Sequence, residues 1–444
     1  MTVPRTICLG FIAVIITGAL LLAMPFSTSD GTWSDPVTAL FTSTSAVCVT
    51  GLSVVDVGKY YSFWGQVCLV GLVQIGGLGY MTATTFLLLL LGRKFGLKDK
   101  VALQQSLDKS GLAGVVQLVQ SILATTVLFE LTGVFLLLLV FVPKHGFNQG
   151  LWSSIFHSIN AFNNAGFSLY SDNLIGYIDS PLVNIVIGSL IIFGGIGYQV
   201  IMEMYLWLRD CLAKNSTCII FSLNFKVVTS TTLALLILGT LAFLTTEFNN
   251  PDTFGNLNFV QKVMAAWFQS VTPRTAGFNT IDIGKMTEAG LFITIALMFI
   301  GASPGSTGGG IKTTTFRLLF SCTEAVLEGK EDVQCYQRQI PNALILKTIG
   351  VVFGSVIVVI AATTLIELAN PELELIHILF EAMSAFATVG LSTGITAKLS
   401  AFSKLVIVVT MYIGRVGVLL LMGAILGDPK PCTFKFAEEN LLVG

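Results

Sequence analysis

The chain has 444 residues, 54% of them hydrophobic and only 11% charged, with a formal net charge of −1 and a mean hydropathy of +0.82. A soluble domain carries about 25% charged residues, so this composition excludes a water-soluble globular protein and makes the bilayer its solvent. The near-zero net charge selects no partner, and no nucleic acid is expected.

Seven stretches hold no charged residue: 6–29, 60–92, 110–129, 180–202, 227–246, 289–311 and 348–366. An eighth, 405–426, is interrupted only by Arg415. Each is about long enough to cross a ~30 Å hydrocarbon core as a helix, which predicts eight transmembrane helices. The first follows Arg5, as a signal peptide would, but its apolar stretch is too long for an h-region and no A-x-A site follows. A retained first helix is expected.

Basic residues gather in alternate connections: Arg93, Lys94, Lys98, Lys100 and Lys109; then Arg209, Lys214 and Lys226; then Lys312, Arg317, Lys330, Arg338 and Lys347. The other connections carry Asp30, Asp35, Asp172, Asp179, Glu247, Asp252, Glu372 and Glu374. The positive-inside rule places the basic loops and both termini in the cytoplasm, and an even helix count agrees. The eight cysteines are scattered without a C-x-x-C pair, so neither a disulfide framework nor a zinc site is expected.

Each acidic connection contains a semi-apolar stretch of about ten residues, too short to span and suited to a re-entrant helix. In order they read FTSTSAVCVTGLS (41–53), FHSINAFNNAGFS (156–168), WFQSVTPRTAGFN (267–279) and FEAMSAFATVGLS (380–392). Aligned on Gly51, Gly166, Gly277 and Gly390, an aromatic stands ten residues earlier in each: Phe41, Phe156, Trp267 and Phe380. The glycines are 115, 111 and 113 residues apart. A second glycine follows at Gly76, Gly194, Gly301 and Gly414, lying 25, 28, 24 and 24 residues further on. Self-similarity at a fixed period marks a repeat architecture. The chain is therefore read as an all-α polytopic membrane protein of four helix–re-entrant loop–helix repeats around a central pore. The repeats are assigned to 1–100, 101–215, 216–335 and 336–427, with a cytoplasmic tail at 428–444.

Four re-entrant helices entering from one side aim their C-terminal, partially negative ends at the bilayer centre, where they favour a cation. Extended backbone beyond each helix can replace an ion's hydration shell with carbonyl oxygens. Glycine suits such a segment because alternating carbonyls require positive φ and close approach. Thr50, Asn164, Thr275 and Thr388 are neutral, whereas a carboxylate filter would show Asp or Glu here. Arg274 is the one charge, expected behind the filter and facing an acid.

These residues resemble the Trk/Ktr/HKT superfamily of cation transporters, single chains of four M1-P-M2 repeats. AVCVTGLSVVD, FNNAGFS, TPRTAGFN and ATVGLS are similar to its four filter segments, and the likeness covers essentially the whole chain. The chain starts directly at the first repeat, without the extra helix pair of the TrkH branch, and so looks most like the KtrB branch. The resemblance implies potassium uptake across the plasma (inner) membrane, with K+ as transported ion and Na+ as possible activator. It implies a filter made of Val49, Thr50, Gly51, Asn164, Ala165, Gly166, Thr275, Ala276, Gly277, Thr388, Val389 and Gly390, with potassium at the glycines. Gly51 marks the potassium-permeable form, where sodium-selective plant relatives carry serine. The partners it implies are a second copy, in a homodimer, and a cytosolic nucleotide-binding regulatory subunit (KtrA-like). No covalently bound cofactor is expected.

GASPGSTGGGIKTTTF (301–316) interrupts the sixth spanning segment. A phosphate loop needs adjacent Gly and Lys, and Ile311 separates Gly310 from Lys312. Gly301, Ser303, Pro304, Gly305, Gly308, Gly309 and Gly310 cannot hold a regular helix, which reads as a gate or as a passive kink. Arg415, expected in the middle of the eighth helix, is costly in lipid. It faces the pore below the filter, as the resemblance implies, or makes a packed ion pair. Glu130 is expected as a structural partner, with Arg274 a candidate. His145, His157 and His377 show no metal spacing, no nucleophile elbow is present, and no enzyme is expected. The alternatives to a potassium pore are an ion-coupled secondary transporter, for which inverted repeats would be expected, and a sodium-permeable relative.

Overall fold

The computed structural model describes residues 3–79, 82, 115–213, 220–330 and 332–426. The basic cluster at 93–109, Lys214, the second half of the 60–92 stretch, the repeat boundaries near 100 and 215 and the 428–444 tail lie outside the described residues.

Each repeat has a lead helix, a short re-entrant helix and a return helix. The lead helices are Val3–Ala23, Val115–His145, Leu223–Glu247 and Asn342–Ala369. The re-entrant helices are Pro36–Val47, Phe147–Phe162, Phe259–Val271 and Leu375–Phe386. Asp35 caps the first of these by accepting from the Thr38 amide at 2.9 Å, and Asn258 with Gln261 forms a capping box on the third. The return helices start at Ser62, Ser180, Thr287 and Ser400, three of which cap through their hydroxyl. This hydroxyl start is a further repeated signal, readable from the usual N-cap preference.

The second lead helix runs past the charge-free stretch 110–129 to His145, with Glu130 inside it. Four lead helices are long and apolar enough to span, and two return segments qualify as bent pairs. The return segments of repeats 2 and 4, expected as spanning helices, are broken. Pro181–Ile196 and Tyr198–Leu212 meet at 106°, and Ala401–Val416 and Val418–Leu426 meet at 94°. Gly197 and Gly417 occupy the breaks with φ of 96° and 89°, and Gly79 ends Phe63–Leu78 with φ 78°. Repeat 3 replaces the single glycine by a loop between Glu288–Phe299 and Thr313–Leu327. Arg415 is therefore the next-to-last residue of a helix, not the middle of one. A small antiparallel hairpin, Gln334–Cys335 with Arg338–Gln339, is a departure from the all-helical expectation. Tyr336 and Gln337 both have positive φ at its turn, as a type I′ turn requires.

Lead helices face outward: only 28–39% of their apolar windows is buried, and Leu131, Phe135 and Leu139 are exposed. Residues 41–50 of the first re-entrant segment are, by contrast, buried without interruption. Each return helix packs on the re-entrant helix of the next repeat, and the fourth on that of the first. The ring closes at the ends of the chain, where the Tyr412 hydroxyl donates to the Cys8 carbonyl at 3.0 Å and Arg5 Nε to the Ala424 carbonyl at 2.7 Å.

In repeats 1, 2 and 4 the second glycine lets the return helix cross the end of its own re-entrant helix. A Cβ on Gly76, Gly194 or Gly414 would lie 2.2, 1.9 or 1.8 Å from the carbonyl oxygen of Val47, Phe162 or Phe386, the last helical residue in each case. Gly301 instead lies against its own loop, 2.4 Å from the Gly309 oxygen by the same measure.

Gly414→Ala forces helix and carbonyl apart and should cost about 1–3 kcal/mol, as overpacking does. Gly71→Ala, with open space around its Cβ position, should be neutral or stabilising. Thermal unfolding of the two variants in detergent checks the contrast; equal melting temperatures would refute the crossing.

Candidate functional site

The re-entrant helices end at buried residues and the chain then turns back. In repeats 1, 2 and 4 the turn has one pattern: the amides of Val49, Asn164 and Thr388 bond three residues back, to Ala46, Ala161 and Ala385, at 3.1–3.2 Å. The next amides, of Thr50, Ala165 and Val389, bond five residues back at 2.7–2.8 Å. This is a Schellman ending, which needs a left-handed residue and usually takes glycine. Here the position is filled by Val49 (φ 58°), Asn164 (φ 59°) and Thr388 (φ 52°), with Thr275 (φ 63°) in repeat 3. A β-branched residue with positive φ is an outlier. Such strain persists only where surrounding structure enforces it, and it concentrates at functional sites. The structural counterpart of Asn164, Thr275 and Thr388 is thus Val49 rather than Thr50.

Two residues on, Gly51, Gly166, Gly277 and Gly390 again have positive φ. A Cβ on Gly51 would lie 2.2 Å from the Ala165 oxygen, one on Gly166 2.7 Å from Ala276, one on Gly277 2.5 Å from Val389 and one on Gly390 2.0 Å from Thr50. The contacts run from each repeat to the next and return from the fourth to the first. Eight of the twelve residues singled out in the sequence, the four glycines with Thr50, Ala165, Ala276 and Val389, therefore form one closed ring of backbone contacts, and the other four directly precede it. Ser45 Oγ and Ser384 Oγ accept from the amides of Gly51 and Gly390 at 3.0 and 3.1 Å, support that the sequence pattern did not suggest.

Repeat 3 differs in register. The buried aromatic matching Phe41, Phe156 and Phe380 is Phe268, nine residues before its glycine. Trp267 instead lies over repeat 2, where a Cβ on Gly188 would come within 2.5 Å of its ring. Repeat 3 thus has one residue fewer between the buried aromatic and the glycine, although its helix ends earlier, at Val271.

The 301–312 loop lies against this ring from repeat 3. Cβ atoms on Gly308 and Gly309 would meet Thr275 Oγ1 at 2.1 Å and Thr388 Oγ1 at 2.4 Å. Thr307 donates through its hydroxyl to the Phe162 and Gly194 carbonyls at 3.3 and 3.2 Å. The Ser303 amide donates to Gly195 at 2.9 Å, and the Tyr198 amide to Gly305 at 3.1 Å. Arg415 completes the circuit, donating from Nη1 to the Thr307 carbonyl and from Nη2 to the Gly76 carbonyl of repeat 1. The loop and Arg415 thus touch all four repeats. Beside them opens a cavity of about 420 Å³, lined by Gly79, Thr126, Tyr198, Thr307, Lys312 and Arg415 among others, and by none of the ring glycines.

Arg274 does point behind the ring, but its bond is to the Thr232 carbonyl at 3.0 Å rather than to an acid. Glu130 accepts instead from Asn163 Nδ2 at 3.1 Å, so the two do not pair. His157 is buried, contacting the Ser153 carbonyl through Nδ1 at 2.7 Å and Ser168 Oγ through Nε2 at 3.0 Å. Glu381, unremarked in the sequence, is fully buried. It accepts from the hydroxyls of Ser392 and Thr396. Four re-entrant helices end beside a ring of close backbone contacts with no acid among its residues, an arrangement whose helix dipoles favour a cation over an anion.

Residues 10–422 match the family described as TrkH, cation transport protein. The chain is 42% identical over 420 residues to the Ktr system potassium uptake protein B of Bacillus subtilis, covering 94% of this chain and 91% of that one. It is 38% identical over 442 residues to the protein of the same name from Vibrio alginolyticus (99% and 95% covered). It is 36% identical to the potassium/sodium uptake protein NtpJ of Enterococcus hirae (99% and 97%). The crystal structure of the potassium transporter TrkH from Vibrio parahaemolyticus superposes with a TM-score of 0.72 at 18% identity, over 95% of this chain and 85% of that one, a likeness of fold.

Gly308→Ala should destabilise the protein by about 1–3 kcal/mol by overpacking, and Thr275→Ala should recover part of that loss by removing the facing hydroxyl. A double-mutant cycle on thermal stability reads the coupling; strictly additive effects would show that loop and ring do not touch.

Proposed function

Because the chain belongs to the TrkH family of cation transport proteins, we propose that it takes up potassium through a central pore whose filter is the ring at Gly51, Gly166, Gly277 and Gly390. The closed circuit of glycine against neighbouring carbonyl carries this reading. Backbone from four repeats approaches a common axis, and a dehydrated K+ there finds carbonyl oxygens from every quadrant. The names of the relatives, potassium uptake proteins of Ktr systems, support potassium as the ion and further subunits as partners. The name of the Enterococcus hirae relative also covers sodium, which supports Na+ as activator or as a second permeant ion. The remaining parts of the proposal are a homodimer, a cytosolic nucleotide-binding regulator, the plasma membrane as location and both termini in the cytoplasm.

Within this pore the 301–312 loop and Arg415 form the gate. The loop is hydrogen-bonded to the break in repeat 2 and to Arg415 but is not a helix, so it can shift without unwinding one. A guanidinium beneath the filter repels a descending cation, by about 4 kcal/mol at 4 Å and an effective dielectric constant near 20.

Purified protein in liposomes should accumulate rubidium without any organic substrate, and potassium should block that uptake better than sodium. No uptake, or uptake only with an organic solute, would refute the proposal. Gly51→Ser places a side chain on the neighbouring carbonyl, so potassium uptake should weaken and discrimination against sodium should fall by roughly tenfold, the equivalent of ~1.4 kcal/mol. Unchanged selectivity would count against the ring as filter.

Deleting 303–309 should raise flux with selectivity kept, and Arg415→Gln should raise it less. A deletion variant that folds but conducts no faster would leave the loop a structural kink.

A further inference from the structure

The filter segment of each repeat is a single strand of chain with no regular secondary structure. Its inner end is fixed by the helix-ending turn; what fixes its outer end differs between quadrants. In repeat 4, Ser392, two residues beyond Gly390, donates its hydroxyl to Glu381 Oε1, nine residues before Gly390. Thr396 Oγ1 donates to the same oxygen at 3.1 Å, and the Gly394 amide donates to Ser392 Oγ at 2.9 Å. In repeat 2 the same two positions, nine before and two after Gly166, are His157 and Ser168, joined at 3.0 Å. Since Nδ1 of His157 faces the Ser153 carbonyl, it carries the proton of a neutral ring, and Nε2 accepts from Ser168. The Tyr170 amide then donates to Ser168 Oγ at 3.0 Å.

Repeats 1 and 3 lack this helix-to-serine tie, although in repeat 3 Thr272 Oγ1, just past the helix, donates to the Phe278 carbonyl at 2.5 Å. Ser53 donates to the Val55 carbonyl at 2.6 Å, and Asn279 to the Ile281 carbonyl at 2.8 Å. Gln269, the counterpart of Glu381 once the register shift is allowed for, lies 3.8 Å from Met286 Sδ. Ring order runs 1, 2, 3, 4, so the two tied quadrants stand opposite one another.

We propose that Glu381 and His157 are positioning residues for the filter, each holding the strand two residues beyond its glycine against the re-entrant helix, and that Glu381 thereby helps set the preference for potassium over sodium. This rests on the potassium-pore reading. In the snug-fit account of selectivity, a carbonyl cage prefers the larger ion while its oxygens are kept from closing around the smaller one. Tying two opposite strands from behind stops the ring collapsing along one diagonal. Both anchors are fully buried, so neither reaches the ion from water, and both act through a serine hydroxyl.

The test uses full-length protein in liposomes and reads how much sodium, relative to potassium, halves rubidium uptake. Glu381→Ala should lower that discrimination roughly fivefold to tenfold, the equivalent of losing one ordinary side-chain hydrogen bond, with rubidium uptake retained. Glu381→Gln keeps an acceptor for Ser392 and should keep the wild-type ratio. Discrimination unchanged in Glu381→Ala, or lost equally in Glu381→Gln, overturns the proposal. If Glu381→Ala does not assemble, Ser392→Ala removes the other half of the tie, and a wild-type ratio there is equally decisive. Hydrogen exchange of amides 390–396 should also quicken in either alanine variant. That readout is independent of the ion carried, so a wild-type protein without potassium preference defeats the functional reading alone, whereas unchanged exchange overturns the tie.

Discussion

Everything here depends on backbone oxygens being brought where side chains normally keep them apart. Four glycines lie so close to carbonyls of the neighbouring repeat that a single Cβ would overlap each of them. That approach is possible only because four helices point their ends at one place, and those helices are held there by return helices that themselves carry glycine at the crossing. Close approach at the centre requires close approach one layer out, and the lead helices then cover the assembly with side chains suited to lipid. The hydrophobic effect contributes little between surfaces already in hydrocarbon; packing and satisfied backbone decide the arrangement.

Much of this was legible in the chain because the repeat is written four times. The period, the ring glycines and the crossing glycines all stand out when the segments are aligned, and a pattern shared by four copies is not diluted by local accidents. Features without a distinct residue signal were not legible. Gly197 and Gly417 break their helices, yet glycine is common in membrane helices and does not announce a bend of about a right angle. The strain at Val49 was hidden because valine usually argues against a left-handed position, and only the enclosing structure enforces it.

The register of repeat 3 misled the alignment for a related reason. Counting back from Gly277 assigns Trp267 to the buried position, but repeat 3 is one residue shorter from aromatic to glycine, which moves that role to Phe268 and sets the tryptophan against Gly188 of repeat 2. Arg274 was expected to need an acid, since a buried charge usually has one. Its described bond is to a carbonyl, and Glu130 serves Asn163 instead. Pairing charges by sequence counts fails when a backbone carbonyl of a neighbouring helix can take the place of an acid. Glu381 passed unnoticed because an isolated acid in an apolar helix has no partner visible in sequence; its serine and threonine lie beyond the strand it supports.

The closing contact between the first and last helices has a topological meaning. Tyr412 reaching Cys8, and Arg5 reaching Ala424, bring the two extremities of the described chain side by side, so the molecule is a circle opened at one arbitrary seam. The peptide link from one repeat to the next is then a convenience of synthesis, because neighbouring quadrants are joined by packing whether or not the chain runs between them. The four quadrants need not share one sequence either, and each is free to drift toward its own task, as the loop has done in the third and the ties have done in the second and fourth.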